Sequence, residues 1–240
     1  MIDIHSHLLY GIDDGASSIE NSVKMICEAK KAGINTIFST VHYHENVFGN
    51  ERIKEKYKEV VNRAKDFDLD IRLGYEVHIN SINSNNISKI MTLRMDHSPY
   101  ILIEFPCCLF SSEYIKNLKR MQKEGIVPII AHPERSRYFV KNIDALHRLI
   151  EAGCVIQLDA ASIAGVYGYS IKRVAKKLLK LNIPSFVASN AHFSDDYSKF
   201  YINALYRVRK WTSLDYAEAV FNRNAQHLVD FSQTQKIHSF

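Results

Sequence analysis

Cysteine is scarce in this chain of 240 residues, and the four copies form no pattern. Cys27 and Cys154 stand alone, and the neighbours Cys107 and Cys108 are poorly placed to bridge each other. Without a CxxC spacing or a disulfide framework, a reducing compartment is expected. Long apolar runs are missing too. No stretch approaches the ~18 residues needed to span a bilayer. The N-terminus opens directly on Met1-Ile2-Asp3-Ile4-His5, without the basic region and apolar stretch of an export signal. A cytoplasmic location is expected, with no insertion into a membrane but with freedom to work beside a membrane-bound partner. Repeats, low-complexity tracts and linkers of shifted composition are absent as well. The formal net charge is only +5. Its Lys and Arg residues are spread over amphipathic segments rather than massed in a stripe, which argues against a nucleic-acid partner.

What is present suits one globular unit. Hydrophobic residues make up 46% of the chain and charged residues 24%, enough for one core and unlike a disordered chain. A single domain over residues 1–230 is expected, followed by a polar tail over 231–240. Short apolar runs alternate with helical patterns throughout. Strands are predicted at Ile2–His5, Ile34–Thr40, Ile71–Tyr75, Tyr100–Phe105, Ile126–Ala131, Val155–Leu158 and Ser185–Ser189. Between them run helical segments such as one starting at Ser17, where Ser17-Ser18-Ile19-Glu20 fits a capping box, and stopping at Gly33. Parallel strands need a helix to carry the chain back, so this alternation predicts an α/β fold of about seven βα units, enough to close a barrel.

Ionisable residues fall where those strands end. His5 and His7 close the first strand, with Asp13-Asp14-Gly15 in its loop; His42 and His44 follow the second. Glu76 ends the third, Glu104 lies in the fourth, His132 follows the fifth, and Asn190 and His192 follow the seventh. In a parallel α/β barrel the C-terminal strand ends share one face, and that face carries the active site. Imidazoles and carboxylates gathered there suit zinc, manganese or iron, and carboxylates favour clusters over single ions. Within His5-Ser6-His7, alternation along a strand points both imidazoles the same way. The set reads as a metal-binding cluster at the strand ends.

The motifs Met1-Ile2-Asp3-Ile4-His5-Ser6-His7, Asp13-Asp14-Gly15, Leu102-Ile103-Glu104-Phe105-Pro106, Ala131-His132-Pro133-Glu134-Arg135 and Val187-Ala188-Ser189-Asn190-Ala191-His192 carry a resemblance across nearly the whole chain. It resembles the polymerase and histidinol phosphatase (PHP) superfamily, and within it the bacterial manganese-dependent protein-tyrosine phosphatases of capsule and exopolysaccharide gene clusters. The resemblance implies a distorted TIM-like (β/α)7 barrel with three divalent ions, manganese first and iron, zinc or magnesium as alternatives. His5, His7 and Glu76 would hold one ion, with Asn190 as a further ligand. Glu76 would bridge to a second ion held by Glu104 and His132. Asp14, His42 and His192 would hold the third. Arg135 would face the phosphate, and Arg135, His42 and Asp14 are the expected catalytic residues. The implied substrate is phosphotyrosine on the tail of a membrane-associated bacterial tyrosine kinase. Oligomeric state is left open.

Such ions lower the pKa of a bound water towards neutrality and stabilise the leaving phenolate, while an arginine grips phosphoryl oxygens with its fork. A cysteine mechanism needs Cys followed six positions later by Arg, and none of the four cysteines has it. Two departures stand out. The family reads Ser-Asp-Ala-His where this chain has Ser189-Asn190-Ala191-His192. Asn keeps one carbonyl oxygen but loses the charge, so either a weaker ion site with slower turnover or a tolerated neutral ligand is expected. Downstream, where the family often has an arginine, only Lys199 is on offer. Arg137, His44 and His78 read as surface or supporting residues, and Asp159 as a loop residue capping a backbone amide or as a nearby acid. Tyr43, Phe48, Phe110, Tyr138 and Tyr167 are candidates either for the pocket rim or for packing. Two other functions fit the sequence: a small-molecule phosphatase of the histidinol-phosphate kind, and a phosphotyrosine- or kinase-binding module weakened at Asn190.

Overall fold

The computed structural model describes residues 1–43, 51–83 and 85–237, with side chains described as far as Phe231. Seven strands follow one another in space as in sequence: β1 (Ile2–Ser6), β2 (Thr36–His42), β3 (Asp70–His78), β4 (Tyr100–Glu104), β5 (Val127–Ala131), β6 (Val155–Asp159) and β7 (Phe186–Ala188). Every neighbouring pair is parallel. The main returning helices are α1 (Ile19–Lys31), α2 (Glu51–Ala64), α3 (Ile87–Ile90), α4 (Ser112–Lys123), α5 (Arg137–Lys141), α6 (Ile143–Glu151), α7 (Ala160–Ala164) and α8 (Tyr169–Lys180). After β7 come α9 (Ile202–Trp211), α10 (Leu214–Glu218) and α11 (Asn224–Ile237). The sheet curls into a nearly closed barrel, as the strand-helix alternation predicts. α11 runs across the boundary expected at residue 230.

β1 and β7 share only the bridge Ser6–Ala191, backed by His7 N–H to Ala191 O (2.9 Å) and Asn190 N–H to His5 O (2.8 Å). The rest of that seam is held by a buried side chain. Asp3 accepts hydrogen bonds from the Ser189 amide (2.9 Å), the Ser189 hydroxyl (2.5 Å) and the Tyr197 hydroxyl (3.3 Å). Tyr197 lies in a π-helical turn (Tyr197–Tyr201), whose extra residue turns Tyr197 and Tyr201 under the seam. Burial pushes the Asp3 carboxyl up to about 6 against those donors.

Two apolar layers flank the strands. The larger lies between barrel and helices; the smaller fills the barrel with Ile4, Phe38, Leu102, Ile129 and Phe186, stoppered by Leu228 and Val229 of α11. Several boundaries differ from the predicted ones for local reasons. α1 is capped by Ser18, whose hydroxyl accepts from the Asn21 amide (3.4 Å), not by Ser17. β2 runs two residues past Thr40, so His42 is its last residue rather than a loop residue, and β3 runs on past Tyr75 so that Glu76 lies within it. Both extensions come from pairing: His42 stands in register with Glu76, and a sheet partner lengthens a strand beyond its apolar run.

Candidate metal centre

Register places the cluster. Glu76 lies beside His42 on one side and Leu102 on the other, and Glu104 lies beside His78 and Ala131. Two residues reach it through left-handed backbone at strand exits: His132 with φ +31° and Asn190 with φ +49°. That conformation is costly for a residue with a Cβ, and it is found where a side chain must be aimed. The Asp13-Asp14-Gly15 turn folds tightly over β1. A Cβ on Gly15 would stand 2.1 Å from the His7 carbonyl oxygen, so only glycine fits there.

Three groups of ligand-type atoms result, each within 4.8 Å: His5, His7 and Glu76; Glu76, Glu104 and His132; and His7, Asp14, His42 and His192. They differ from the three predicted sets in that His7 also joins the last and Asn190, expected as a further ligand of the first, is in none of them. At the centre lies the buried Glu76 carboxylate, approached by His5 (3.1 Å), His7 (3.4 Å), His42 (3.3 Å) and His132 (2.9 Å). Asp14 sits at the rim, its side chain 68% exposed, 3.5 Å from His42 and 3.4 Å from His192.

The ring nitrogens turned away from the centre are held by acceptors. His5 Nδ1 faces Gln157 Oε1 (3.2 Å), and the Gln157 amide nitrogen donates to the Leu158 carbonyl (2.8 Å), which fixes that amide's orientation. His7 Nδ1 faces Asp13 Oδ2 (2.9 Å), and His192 Nδ1 faces the Asn190 carbonyl (2.9 Å). Each partner holds a proton on Nδ1 and leaves Nε2 as a lone pair pointing inwards. Asp13 and Gln157 were missed by sequence reasoning. Asp13 carries a signal, since a second acid beside a ligand acid is a common orienting device; Gln157 has none.

Charge fits a cation. Burial opposes ionisation of Glu76, yet His5, His132 and His7 together hold its carboxyl well below the usual range. Burial likewise opposes a charge on His7, but Asp13 and Glu76 outweigh it and raise its pKa to about 10. The carboxylates thus demand positive charge among the imidazoles, and a divalent ion meets that demand while releasing protons. His5 and His7 point Nε2 at Nε2 across 3.3 Å, a spacing a shared cation relieves. Asn190 gives a further sign. Its amide nitrogen donates to Asp159 (3.3 Å), and its buried Oδ1 has no protein partner. A buried carbonyl oxygen left so costs ~1–3 kcal/mol, and a hard cation accepts it. The residues fit a metal centre.

Arg135 lies in a one-turn 3-10 helix (Pro133–Arg135) after His132, pairs with Asp159 (3.3 Å) and stacks its guanidinium 4.6 Å over the Tyr167 ring. Asp159 also caps α7 by accepting from the Ala161 amide (2.7 Å), the capping role predicted for it, and adds the arginine contact. Burial and the Asp159 charge push the Tyr167 hydroxyl up to about 12, so this ring stays neutral. Arg137 is exposed. His78 caps a turn through the Asn80 amide (3.3 Å), and Lys199 pairs with Asp195. Tyr43 is buried in the outer layer, and Phe110 stacks on Tyr138 (4.4 Å) within an aromatic cluster, so these three pack rather than line the rim. Among the aromatic candidates, Tyr167 lines the cavity beside the centre. His44 and Phe48 lie outside the described residues.

Comparison with known proteins gives the family. The profile of the family described as capsular polysaccharide synthesis, CpsB/CapC, matches residues 1–230. The tyrosine-protein phosphatase YwqE of Bacillus subtilis is 35% identical over 80% of this chain and 77% of its own length. The putative tyrosine-protein phosphatase CapC of Staphylococcus aureus is 32% identical over 88% and 84%. A crystal structure from work on YwqE and Streptococcus pneumoniae CpsB, described as unique metal-dependent tyrosine phosphatases, superposes with a TM-score of 0.87 at 32% identity over 96% of this chain and 95% of that one. A histidinol phosphate phosphatase of Lactococcus lactis shares the fold alone (TM-score 0.59, 13% identity, 92% and 94% covered). The chain belongs to the CpsB/CapC family of capsular polysaccharide synthesis proteins.

Proposed function

We propose that this chain is a metal-dependent tyrosine-protein phosphatase acting in the cytoplasm on the phosphotyrosine tail of a membrane-associated tyrosine kinase that regulates capsule or exopolysaccharide synthesis. The observation that carries the reading is the convergence of four imidazoles on the buried Glu76 carboxylate. His5, His7, Glu76 and Asn190 would hold one ion, Glu76, Glu104 and His132 a second, and Asp14, His42 and His192 a third, with manganese favoured over iron, zinc or magnesium. Divalent ions there supply Lewis acidity to phosphoryl oxygens and leaving phenolate and bring water towards a neutral pKa.

The chain's own residues do the rest. Arg135 presents its fork to the phosphoryl group, and Asp159 holds that fork in place from behind. Gln157 and Asp13 keep His5 and His7 in the tautomer that turns Nε2 inwards. Asp14 and His42 stand at the open edge, where the substrate enters. That open edge supports a protein segment as substrate over a small molecule in a closed pocket. No helix among the described residues is long and apolar enough to cross a membrane, in keeping with an enzyme that meets a membrane-bound partner from the side. The test is hydrolysis of a phosphotyrosine peptide with manganese, with a chelator control and a His5→Ala variant. Activity is expected to vanish in both arms, and activity surviving both overturns the metal reading.

A further inference from the structure

A cavity of about 360 Å³ opens beside the metal centre, lined by both polar and aromatic side chains. Asn190, Arg135 and Asp196 contribute polar groups to its lining. At the mouth stand Val166, Tyr167 and Phe193, which are 49%, 41% and 64% exposed. A single exposed apolar side chain is ordinary, but several at one cavity rim mark a binding surface. Tyr167 is fixed in place by the Arg135 guanidinium stacked on its ring. Phe193 directly follows His192, and it stacks on no other ring among the described residues.

A second cavity, of about 810 Å³, lies on the other side of His192 and shares Phe193. Its charged lining is acidic, from Asp14 and Asp195, and it holds no arginine or lysine. The smaller cavity carries the Arg135 guanidinium and the larger has no arginine or lysine, so a phosphoester finds a fork for its oxygens only in the smaller one. The smaller cavity sets the Arg135 guanidinium, with the Asp196 carboxylate also in its lining, beside the aromatic side chains of Tyr167 and Phe193, as an aryl phosphate is anionic at one end and aromatic at the other. An alkyl phosphoester such as phosphoserine can meet Arg135 but leaves the aromatic side chains in water.

We propose that Tyr167 and Phe193 are the specificity-determining residues of this site, flanking the ring of an aryl phosphoester whose oxygens reach Arg135. The proposal rests on the phosphatase reading above and adds how the site tells aryl from alkyl substrates. It is tested on the manganese-loaded full chain, comparing phosphotyrosine and phosphoserine peptides of one sequence, with inorganic phosphate as a competitor that has no ring. Phe193→Ala, at an exposed position where folding is not at stake, is expected to raise KM for phosphotyrosine about tenfold, with kcat changed less than about twofold. Phosphoserine hydrolysis and inhibition by inorganic phosphate are expected to move by less than about twofold. Tyr167→Leu is expected to lower the same selectivity, and Tyr167→Phe to retain it. Equal losses on both peptides, or no loss with phosphotyrosine, overturn the proposal and leave the phosphatase reading standing. Equal hydrolysis of both peptides by the unsubstituted chain also overturns it. No hydrolysis of either peptide by the unsubstituted chain overturns the reading and the proposal together.

Discussion

The two ends of the barrel are built on the same strands and follow opposite rules. At the N-terminal end, Phe38, Leu102, Ile129 and Phe186 meet Leu228 of α11 in an apolar plug. A few residues further along, the same strands carry His42, Glu104, His132 and Asn190. The plug is non-directional and stabilises in proportion to area removed from water. The other end buries charge, which costs free energy unless each group finds a partner. One end therefore holds the fold together, and the other uses the rigidity this provides to keep ionised groups close.

The sharpest way to break the functional end is Glu76→Gln, which keeps the volume and removes the charge that four imidazoles face. Loss of stabilisation worth ~4 kcal/mol at the transition state corresponds to about a thousandfold loss of kcat/KM. Metal content is expected to fall with it. Unchanged metal content with activity within about tenfold of the parent would remove Glu76 from the centre of the site. At the structural end the matching change is Leu228→Ala, from a fully buried position. Its expected cost is about 3 kcal/mol of stability, or a melting temperature lower by roughly 10 °C, with activity per folded molecule nearly unchanged. If activity falls while the melting temperature holds, the two ends are not independent and the comparison fails.

Much of this division was legible in the sequence, because both ends are written as residue type at strand positions. The (β/α)7 order follows from apolar runs alternating with capped helices, and eight of the nine expected ligand positions, all but Asn190, fall into three neighbouring groups of ligand-type atoms. What stayed hidden depends on contacts rather than on pattern. Strand ends at His42 and His78 are set by pairing across the sheet, so apolar runs alone stop short of them. The supports behind the imidazoles come from distant places: Gln157 is 152 residues from His5. Asp3 reads as an interruption of an apolar strand, and its role appears only when Ser189 and Tyr197 fold onto it across the seam. Asp159 was legible as a cap because capping is local, while its hold on Arg135 spans 24 residues and was not.

Asn190 is where the two ends' rules meet most closely, and replacing it by Asp is the mildest test. With Asn, the amide nitrogen bonds Asp159 and the buried Oδ1 is left without a hydrogen-bond partner. Asn190→Asp would supply a full negative charge to the ion proposed for His5, His7 and Glu76, so metal affinity is expected to rise about tenfold and turnover by a few-fold. The same change sets two carboxylates against each other where an N–H now donates to Asp159 at 3.3 Å, and Arg135 offsets only part of that repulsion. Metal-free protein is therefore expected to lose about 1 kcal/mol of stability, a shift of roughly 2–4 °C in a melt run with chelator, and to regain it when manganese is added. Competition against a chelator of known affinity measures the first effect and the pair of melts the second. No gain in affinity or rate would show that the neutral oxygen of Asn190 already serves as well as a carboxylate. The tuning of this site would then lie in Asp159, which holds both Asn190 and Arg135.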